Sequence, residues 1–244
     1  MSKFERITTI AEYIKLIKKE YSKEGCSSIR NIYYRGQSQK QYKLNPKLYR
    51  KIEGHAEEAE SYSICEKEIC NQVKLEYADF FGDCDNSIDE LALMQHYGVP
   101  TRLLDVTENP LVALYFACEN NKKTDGEVFV LKQDLSTKQY TSYDYDKLKS
   151  EKELVFLRAK NYSIRQKEQH GVYIWFPHDS EIKEIDKNNS PIISRIITIP
   201  SECKGELLAD LGLLGINERF IYPDNMDKCC SELVQEITRN AYSC

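Results

Sequence analysis

The chain has 244 residues, 41% of them hydrophobic and 30% charged, with a formal net charge of −5. This composition supports a packed core and excludes a mainly disordered chain, while the negative charge argues against non-specific wrapping of duplex DNA. No apolar run approaches the roughly 20 residues that cross a bilayer, and the nine cysteines lack metal-site spacing. We therefore expect a cytoplasmic protein with reduced thiols, no membrane association and no bound metal.

The first third of the chain predicts two helices with a short strand between them. Thr9 and Glu12 form a capping box at the start of the first helix. The apolar face of this helix is predicted to contain Ile10, Ile14, Ile17 and Tyr21. A short strand is expected over residues 32–35, ending at Gly36. Residues 55–81 are predicted to be helical, with an acidic start of the kind that the helix dipole favours.

Start signals define the elements in the middle of the chain. Ser87 and Glu90 predict a second capping box, and "TRLLDV" after it has the length and apolar content of a strand. Asn109 is expected to cap the next helix, with Pro110 as the first helical residue. Because "LVALYFAC" is apolar nearly all round, we expect this helix to be buried at the centre of the domain.

The second half of the chain predicts a sheet. The segments "EVFVLK", "ELVFLRA", "GVYIWFP" and "IISRIITIP" are rich in the β-branched and aromatic residues that strands favour. Closing helices are expected in "SECKGELLADLGLLG" and "DNMDKCCSELVQEIT". Since strands outnumber crossover helices here, we predict an α+β fold in which helices pack on a mixed, largely antiparallel sheet. No repeat or low-complexity linker is visible, which favours a single globular domain.

Several polar residues could carry chemistry, and each also has a structural interpretation. Arg35 could bind a phosphate bidentately or pair with a carboxylate at the edge of the core. His96, at a helix end, could act as an acid–base group or bond the terminal carbonyls. Arg102 and Asp105 would be costly to bury unpaired, so we expect them to belong to a hydrogen-bonded network.

A second polar group precedes the strand "GVYIWF". It consists of Arg165, Glu168, Gln169 and His170. Such a cluster beside aromatic residues could recognise the hydroxyl groups of a ligand, or it could be a solvated loop. Thr107 and Asn109 are ordinary strand-end and capping residues, unless a cleft opens above them.

Taken in order, these motifs resemble the FRG domain, a bacterial and phage family named for its Phe/Tyr-Arg-Gly motif. The matching segments are "YYRGQS", "LNPKLYR", "MQHYGVPTRLLDVTENPLVALYFA", the spaced Arg165, Gln169, Gly171 and Tyr173, and "LGI…FIYPD". The resemblance assigns residues 30–244 to the FRG domain and residues 1–29 to an N-terminal helix and lead-in. One departure is Val106, where the family commonly has an aromatic residue.

The chain also resembles, more distantly, the ADP-ribosyltransferases. These enzymes begin with a strand carrying Y-R-G or similar and continue with a Ser-Thr-Ser strand and a P-x-x-A-x-x-F helix. Residues 34–36 match the first element, and Thr107 takes the hydroxyl position of the second. The helix motif is matched by Pro110, Ala113 and Phe116. This resemblance implies an ADP-ribosyltransferase-like sheet and NAD⁺ as a substrate.

The second resemblance also implies roles for individual residues. Cleavage of the nicotinamide–ribose bond passes through an oxocarbenium-like state, which requires a phosphate-binding arginine, an aromatic ring for nicotinamide and a carboxylate near the ribose. The implied catalytic residues are Arg35, Thr107, Gln169 and Glu168. The implied nucleotide-binding residues are Tyr34, Arg35, Gly36, Arg102 and Tyr173, with Tyr33 as a further candidate for stacking. The implied supporting residues are His96, Asp105 and Asn109. A glutamine such as Gln169 can bond ribose but carries no negative charge.

Three functions are consistent with these residues. The first is an NAD-dependent ADP-ribosyltransferase or NAD glycohydrolase, with a protein or nucleic acid as acceptor, in a toxin or phage-defence system. The second is a non-catalytic module that binds a nucleotide or nucleic acid, which the 17 tyrosines would suit. The third, a hydrolase or nuclease using His96 and Asp105, lacks a glycine-framed nucleophile and a second carboxylate at metal-ligand spacing. The acceptor and the oligomeric state do not follow from the sequence.

Overall fold

An eight-stranded sheet organises the described part of the chain. The computed structural model describes residues 3–22, 29–50, 63, 66–120, 122–134, 137–141, 145–160, 163–178 and 181–224. The strands are β1 (Phe4–Arg6), β2 (Ile29–Gln37), β3 (Leu103–Thr107), β4 (Gly126–Asp134), β5 (Gln139–Thr141), β6 (Val155–Arg158), β7 (Gly171–Trp175) and β8 (Ile193–Ile199). Their order across the sheet is β1-β8-β4-β2-β3-β7-β6-β5.

The two outermost strand pairs are parallel, and all pairs between them are antiparallel. The helices are α1 (Ile10–Ser22), α2 (Glu66–Glu76), α3 (Ser87–His96), α4 (Pro110–Cys118), α5 (Tyr145–Ser150), α6 (Ile164–Glu168), α7 (Lys204–Leu213) and α8 (Glu218–Ile221). The predicted α+β fold with a mixed, largely antiparallel sheet is confirmed. No helix in the described part of the chain is long and apolar enough to cross a membrane.

Helix α4 lies at the centre of the core, as its composition predicts. The Asn109 side chain accepts a hydrogen bond from the Leu111 amide, so the predicted cap is confirmed. The helix packs on β2 and β4 through glycines: a Cβ added at Gly36 would lie 1.9 Å from the Ala113 carbonyl oxygen. A Cβ added at Gly126 would lie 2.3 Å from another carbonyl oxygen of α4. These two glycines therefore let the helix approach the sheet closely.

Helix α1 has the predicted capping box but a different buried face. The Thr9 hydroxyl accepts from the Glu12 amide at 3.3 Å, and the Glu12 carboxylate accepts from the Thr9 amide at 3.2 Å. The buried residues of the helix are Tyr13, Leu16, Ile17 and Glu20. Tyr21, which was predicted on the apolar face, is 46% exposed. The observed face differs from the predicted one because Tyr13 and Glu20 are buried. Each has a hydrogen-bond partner inside the protein, Pro110 for Tyr13 and Arg195 for Glu20.

The N-terminal segment is part of the same sheet as the rest of the chain. Strand β1 pairs with β8, and α1 packs in the core cluster that contains α4. Glu20 accepts from the Arg195 guanidinium at 2.8 Å, although both residues are 1% exposed. Glu5 accepts a further bond from the same arginine at 2.7 Å. Because a buried charge needs a partner, these contacts join the first helix to β8.

Two further helix predictions differ from the structure. Helix α3 is capped by Asn86, whose side chain accepts from two following amides, whereas Ser87 was predicted as the cap. Asparagine competes with serine for this position, and sequence alone did not decide between neighbours. Of the predicted helix over residues 55–81, the described part contains α2 and a 3-10 turn at Ala78–Phe81. The predicted final helix lies outside the described residues. The described cysteines are free thiols: Cys70, Cys84, Cys118 and Cys203.

Candidate functional site

A cleft opens where β2 and β3 separate. These strands pair only through Tyr34 and Thr107, so the residues after Tyr34 on β2 no longer bond β3 directly. Arg35 fills part of the gap, and its Nη1 donates to the Asp105 carbonyl oxygen at 2.6 Å. This bond satisfies a strand carbonyl that has lost its usual neighbour. The cleft has a volume of about 280 Å³.

The cleft collects most of the predicted site residues. Its lining consists of Tyr34, Arg35, Gly36, Gln95, His96, Asp105, Val106, Thr107, Phe116, Arg165, Gln166, Gln169, Gly171 and Tyr173. Five of the candidate residues named from the sequence are not part of this lining: Tyr33, Arg102, Asn109, Glu168 and His170. Residues from β2, α3, β3, α4, α6 and β7 thus meet at one place, although they are separated by up to about 140 positions in the sequence.

Arg35 offers a cation with a free donor. Burial lowers the pKa of Arg35 to about 10, with the Asp105 charge opposing the shift, so the guanidinium stays protonated at neutral pH. Its Nε is buried and has no hydrogen-bond partner among the described residues. Buried donors are almost always satisfied in proteins. An oxyanion in the cleft would supply the missing acceptor.

Two more arginines add positive charge around the cleft. Arg50, from the "LYR" segment, lowers the pKa of Arg35 through their like charges. Arg165 lines the cleft, and its guanidinium lies 4.7 Å from the centre of the Tyr222 ring. The cleft is therefore cationic although the chain as a whole is acidic. Arg50 was not singled out in the sequence, and only its place in the family motif pointed to it.

Two hydrogen bonds in series fix the side chain of Asp105. The Gln95 amide nitrogen donates to Asp105 Oδ1 at 2.6 Å, and the Gln95 carbonyl accepts from the Thr101 hydroxyl. Asp105 is exposed, whereas its strand neighbours are buried. Gln95 was missed in the sequence because it stands beside the more conspicuous His96 in "MQHYG".

Thr107 and Gln169 are linked by a hydrogen bond. The Thr107 hydroxyl donates to the Gln169 backbone carbonyl at 2.6 Å and accepts from the Asn109 amide at 3.0 Å. The Gln169 side chain in turn donates to the Ile221 carbonyl at 2.9 Å. Thr107 therefore holds the turn before β7, and the side-chain oxygen of Gln169 is left as the acceptor that a ligand could use.

The tyrosines predicted to stack on nicotinamide are buried. Tyr33 and Tyr34 are 0% exposed, and Tyr33 stacks on Phe156 on the far side of the sheet. Tyr173 is 6% exposed, and Gln166 donates to its hydroxyl at 3.0 Å. Burial also raises the pKa of the Tyr173 phenol above its ordinary value. Tyr34 and Tyr173 still line the cleft, and Phe116 is the aromatic residue of the lining that remains partly exposed.

Arg102, for which the resemblance implies a nucleotide contact, is buried and lies outside the cleft lining. It is 3% exposed, and its Nε donates to the Glu66 carboxylate at 2.9 Å. Its Nη1 donates to the Phe176 carbonyl at 2.9 Å, and its guanidinium lies 5.3 Å from the centre of the Trp175 ring. The hydrogen-bonded network expected around Arg102 therefore exists, but Asp105 is not part of it and bonds Gln95 instead.

His96 lies at the wall of the cleft between two polar partners. Its Nε2 is 3.3 Å from the Asp224 carboxylate, and its Nδ1 is 3.5 Å from the Ser163 hydroxyl. Burial lowers the pKa of His96; Asp224 opposes the shift and Arg165 adds to it. A neutral imidazole at pH 7 follows, which suits a structural contact with the segment after α8.

Comparison with known families adds one finding. The family model described as FRG domain matches residues 30–126, which include β2, α3, β3 and α4. This segment provides Arg35, His96, Asp105 and Thr107, whereas Gln169 and Tyr173 lie beyond it. Comparison with curated proteins found no match, and comparison with solved structures also found none.

Proposed function

Because residues 30–126 form an FRG domain, whose residues build most of the cleft, we propose that this cleft binds NAD⁺ and transfers its ADP-ribose to water or to an acceptor. One observation carries the proposal. Arg35, whose buried Nε has no partner among the described residues, lines the same small cleft as Thr107 and Gln169, and the side-chain oxygen of Gln169 can accept from a hydroxyl group. A cationic fork beside hydroxyl acceptors matches a ribose carrying phosphate.

Each part of the ligand has a proposed partner. Arg35 takes the pyrophosphate, with Arg50 and Arg165 adding to the positive potential. The Gln169 side-chain oxygen accepts from a ribose hydroxyl, and Phe116 takes the stacking role that the buried tyrosines cannot fill. A volume of about 280 Å³ lies just below the usual range for ligand pockets. We therefore expect the adenosine half to extend out of the cleft mouth.

The test is release of nicotinamide from NAD⁺ by the purified protein. We expect the wild type to release it and Arg35→Ala to lower kcat/KM by about 100-fold, since a charge-assisted contact is worth up to about 3 kcal/mol. Gln169→Ala should mainly raise KM. Arg6→Ala is the matched control, because this arginine is exposed and pairs with Glu202 at the surface. Release that is unchanged in Arg35→Ala would contradict the assigned roles.

A non-catalytic nucleotide-binding module is the second candidate. The neutral Gln169, whose amide is tied to the Ile221 carbonyl, stands where the resemblance expects a carboxylate, and this favours binding without turnover. In that case NAD⁺ stays intact but raises the Tm of the wild type and not of Arg35→Ala. The bacterial and phage occurrence of the FRG family motivates the toxin or phage-defence setting, which belongs to the first proposal only.

A further inference from the structure

We propose that Asp105 is the carboxylate that contacts the reacting ribose, in place of Gln169 or Glu168. The inference rests on the proposed function and identifies the carboxylate that the reaction requires near the ribose. Among the described residues that line the cleft, Asp105 is the sole carboxylate. Glu168 lies outside the lining, and Gln169 carries no charge.

The side chain of Asp105 has one oxygen occupied and one free. Oδ1 accepts from the Gln95 amide at 2.6 Å, and Oδ2 has no hydrogen-bond partner among the described residues. The Gln95 amide is itself oriented by the Thr101 hydroxyl. A carboxylate fixed at one oxygen presents the other to a ligand in a defined direction.

The position of Asp105 places it beside the phosphate-binding cation. Arg35 Nη1 donates to the Asp105 backbone carbonyl. This bond holds the guanidinium next to the residue that carries the carboxylate. Each residue lines the cleft and has one side-chain atom without a hydrogen-bond partner among the described residues: the Arg35 Nε and the Asp105 Oδ2. A cation and an anion in one cleft fit a ligand that carries a phosphate and, a few bonds away, hydroxyl groups.

The charge of Asp105 is also what the reaction needs. As the bond between C1′ and the nicotinamide nitrogen breaks, its electron pair leaves with nicotinamide, and C1′ becomes an oxocarbenium ion. Three arginines nearby would disfavour this cation, whereas a carboxylate stabilises it. Asp105 Oδ2 accepts a hydrogen bond from a ribose hydroxyl in this step. A water or acceptor oxygen then adds to C1′, and its proton passes to the solvent.

The experiment compares Asp105→Asn with the wild type in nicotinamide release and in calorimetric binding of ADP-ribose. We expect kcat to fall by about 100-fold or more, the loss typical of removing one transition-state contact, and ADP-ribose affinity to fall about tenfold. Glu108→Gln is the matched control. This neighbouring carboxylate pairs with Arg158 outside the cleft, so both readouts should stay at the wild-type level.

The outcomes separate this inference from the proposed function. An active wild type with Asp105→Asn at the same rate overturns the role of Asp105 alone. A wild type that neither cleaves NAD⁺ nor binds ADP-ribose overturns both. If the wild type binds ADP-ribose without cleaving NAD⁺, the affinity of Asp105→Asn decides: equal affinity overturns the ribose contact, and a tenfold loss supports it.

A second variant covers the case in which Asp105→Asn does not fold. Gln95→Leu keeps the carboxylate but removes the donor that orients it. As a positioning residue, Gln95 should affect kcat by about tenfold and leave KM near the wild-type value. A wild-type kcat in Gln95→Leu would then overturn the inference.

Discussion

Gly36 lies where β2 passes beneath α4, and it lines the cleft at the same time. We expect Gly36→Ala to lower the free energy of unfolding by about 3 kcal/mol, because the added methyl group would clash with the Ala113 carbonyl and displace the helix. The measurement is urea unfolding. Gly205→Ala is the matched control, since nothing lies within 4 Å of its added Cβ, and its stability should be unchanged or slightly higher. Equal stability of both variants would contradict the tight packing.

At the scale of elements, one ion pair connects α2 to the sheet. Glu66, in the first turn of α2, pairs with Arg102 just before β3. We expect Glu66→Ala to cost about 3 kcal/mol, because it leaves a buried guanidinium with fewer partners. Glu90→Ala, which removes a more exposed pair with Lys74, should cost at most about 1 kcal/mol. Denaturant unfolding of the two variants tests the difference, and similar losses would show that Arg102 does not depend on Glu66.

At the scale of the whole molecule, β1 and α1 contribute to stability through their contacts with β8. Deleting residues 1–22 would remove β1 and α1, leave Arg195 without Glu5 and Glu20, and expose the edge of β8. We expect the shortened chain to lose cooperative unfolding, because an unpaired buried charge and an open strand edge both disfavour the native state. Circular dichroism during heating measures this. A cooperative transition at the wild-type Tm would show that the segment is dispensable.

Local chemistry explains which parts of the fold could be predicted. The α4 cap at Asn109 depends on a few adjacent residues, and so do the capping box at Thr9 and the β-branched strands. These features could therefore be predicted from the sequence. The buried face of α1 was not, because it depends on the distant residues that satisfy Glu20 and Tyr13. A polar side chain can be buried only where tertiary contacts supply its partner.

The sequence by itself determined the α+β class, the mixed sheet and the motif residues that meet in the cleft. Only the tertiary structure decided the contacts and the exposure of each polar residue within that set. Arg102 and Asp105 are three positions apart, yet one is buried against Glu66 and the other faces the cleft. The cause is the separation of β2 from β3 after a single residue pair, which opens the sheet beside Asp105. Such a break depends on the pairing of distant strands, and no local pattern encodes it.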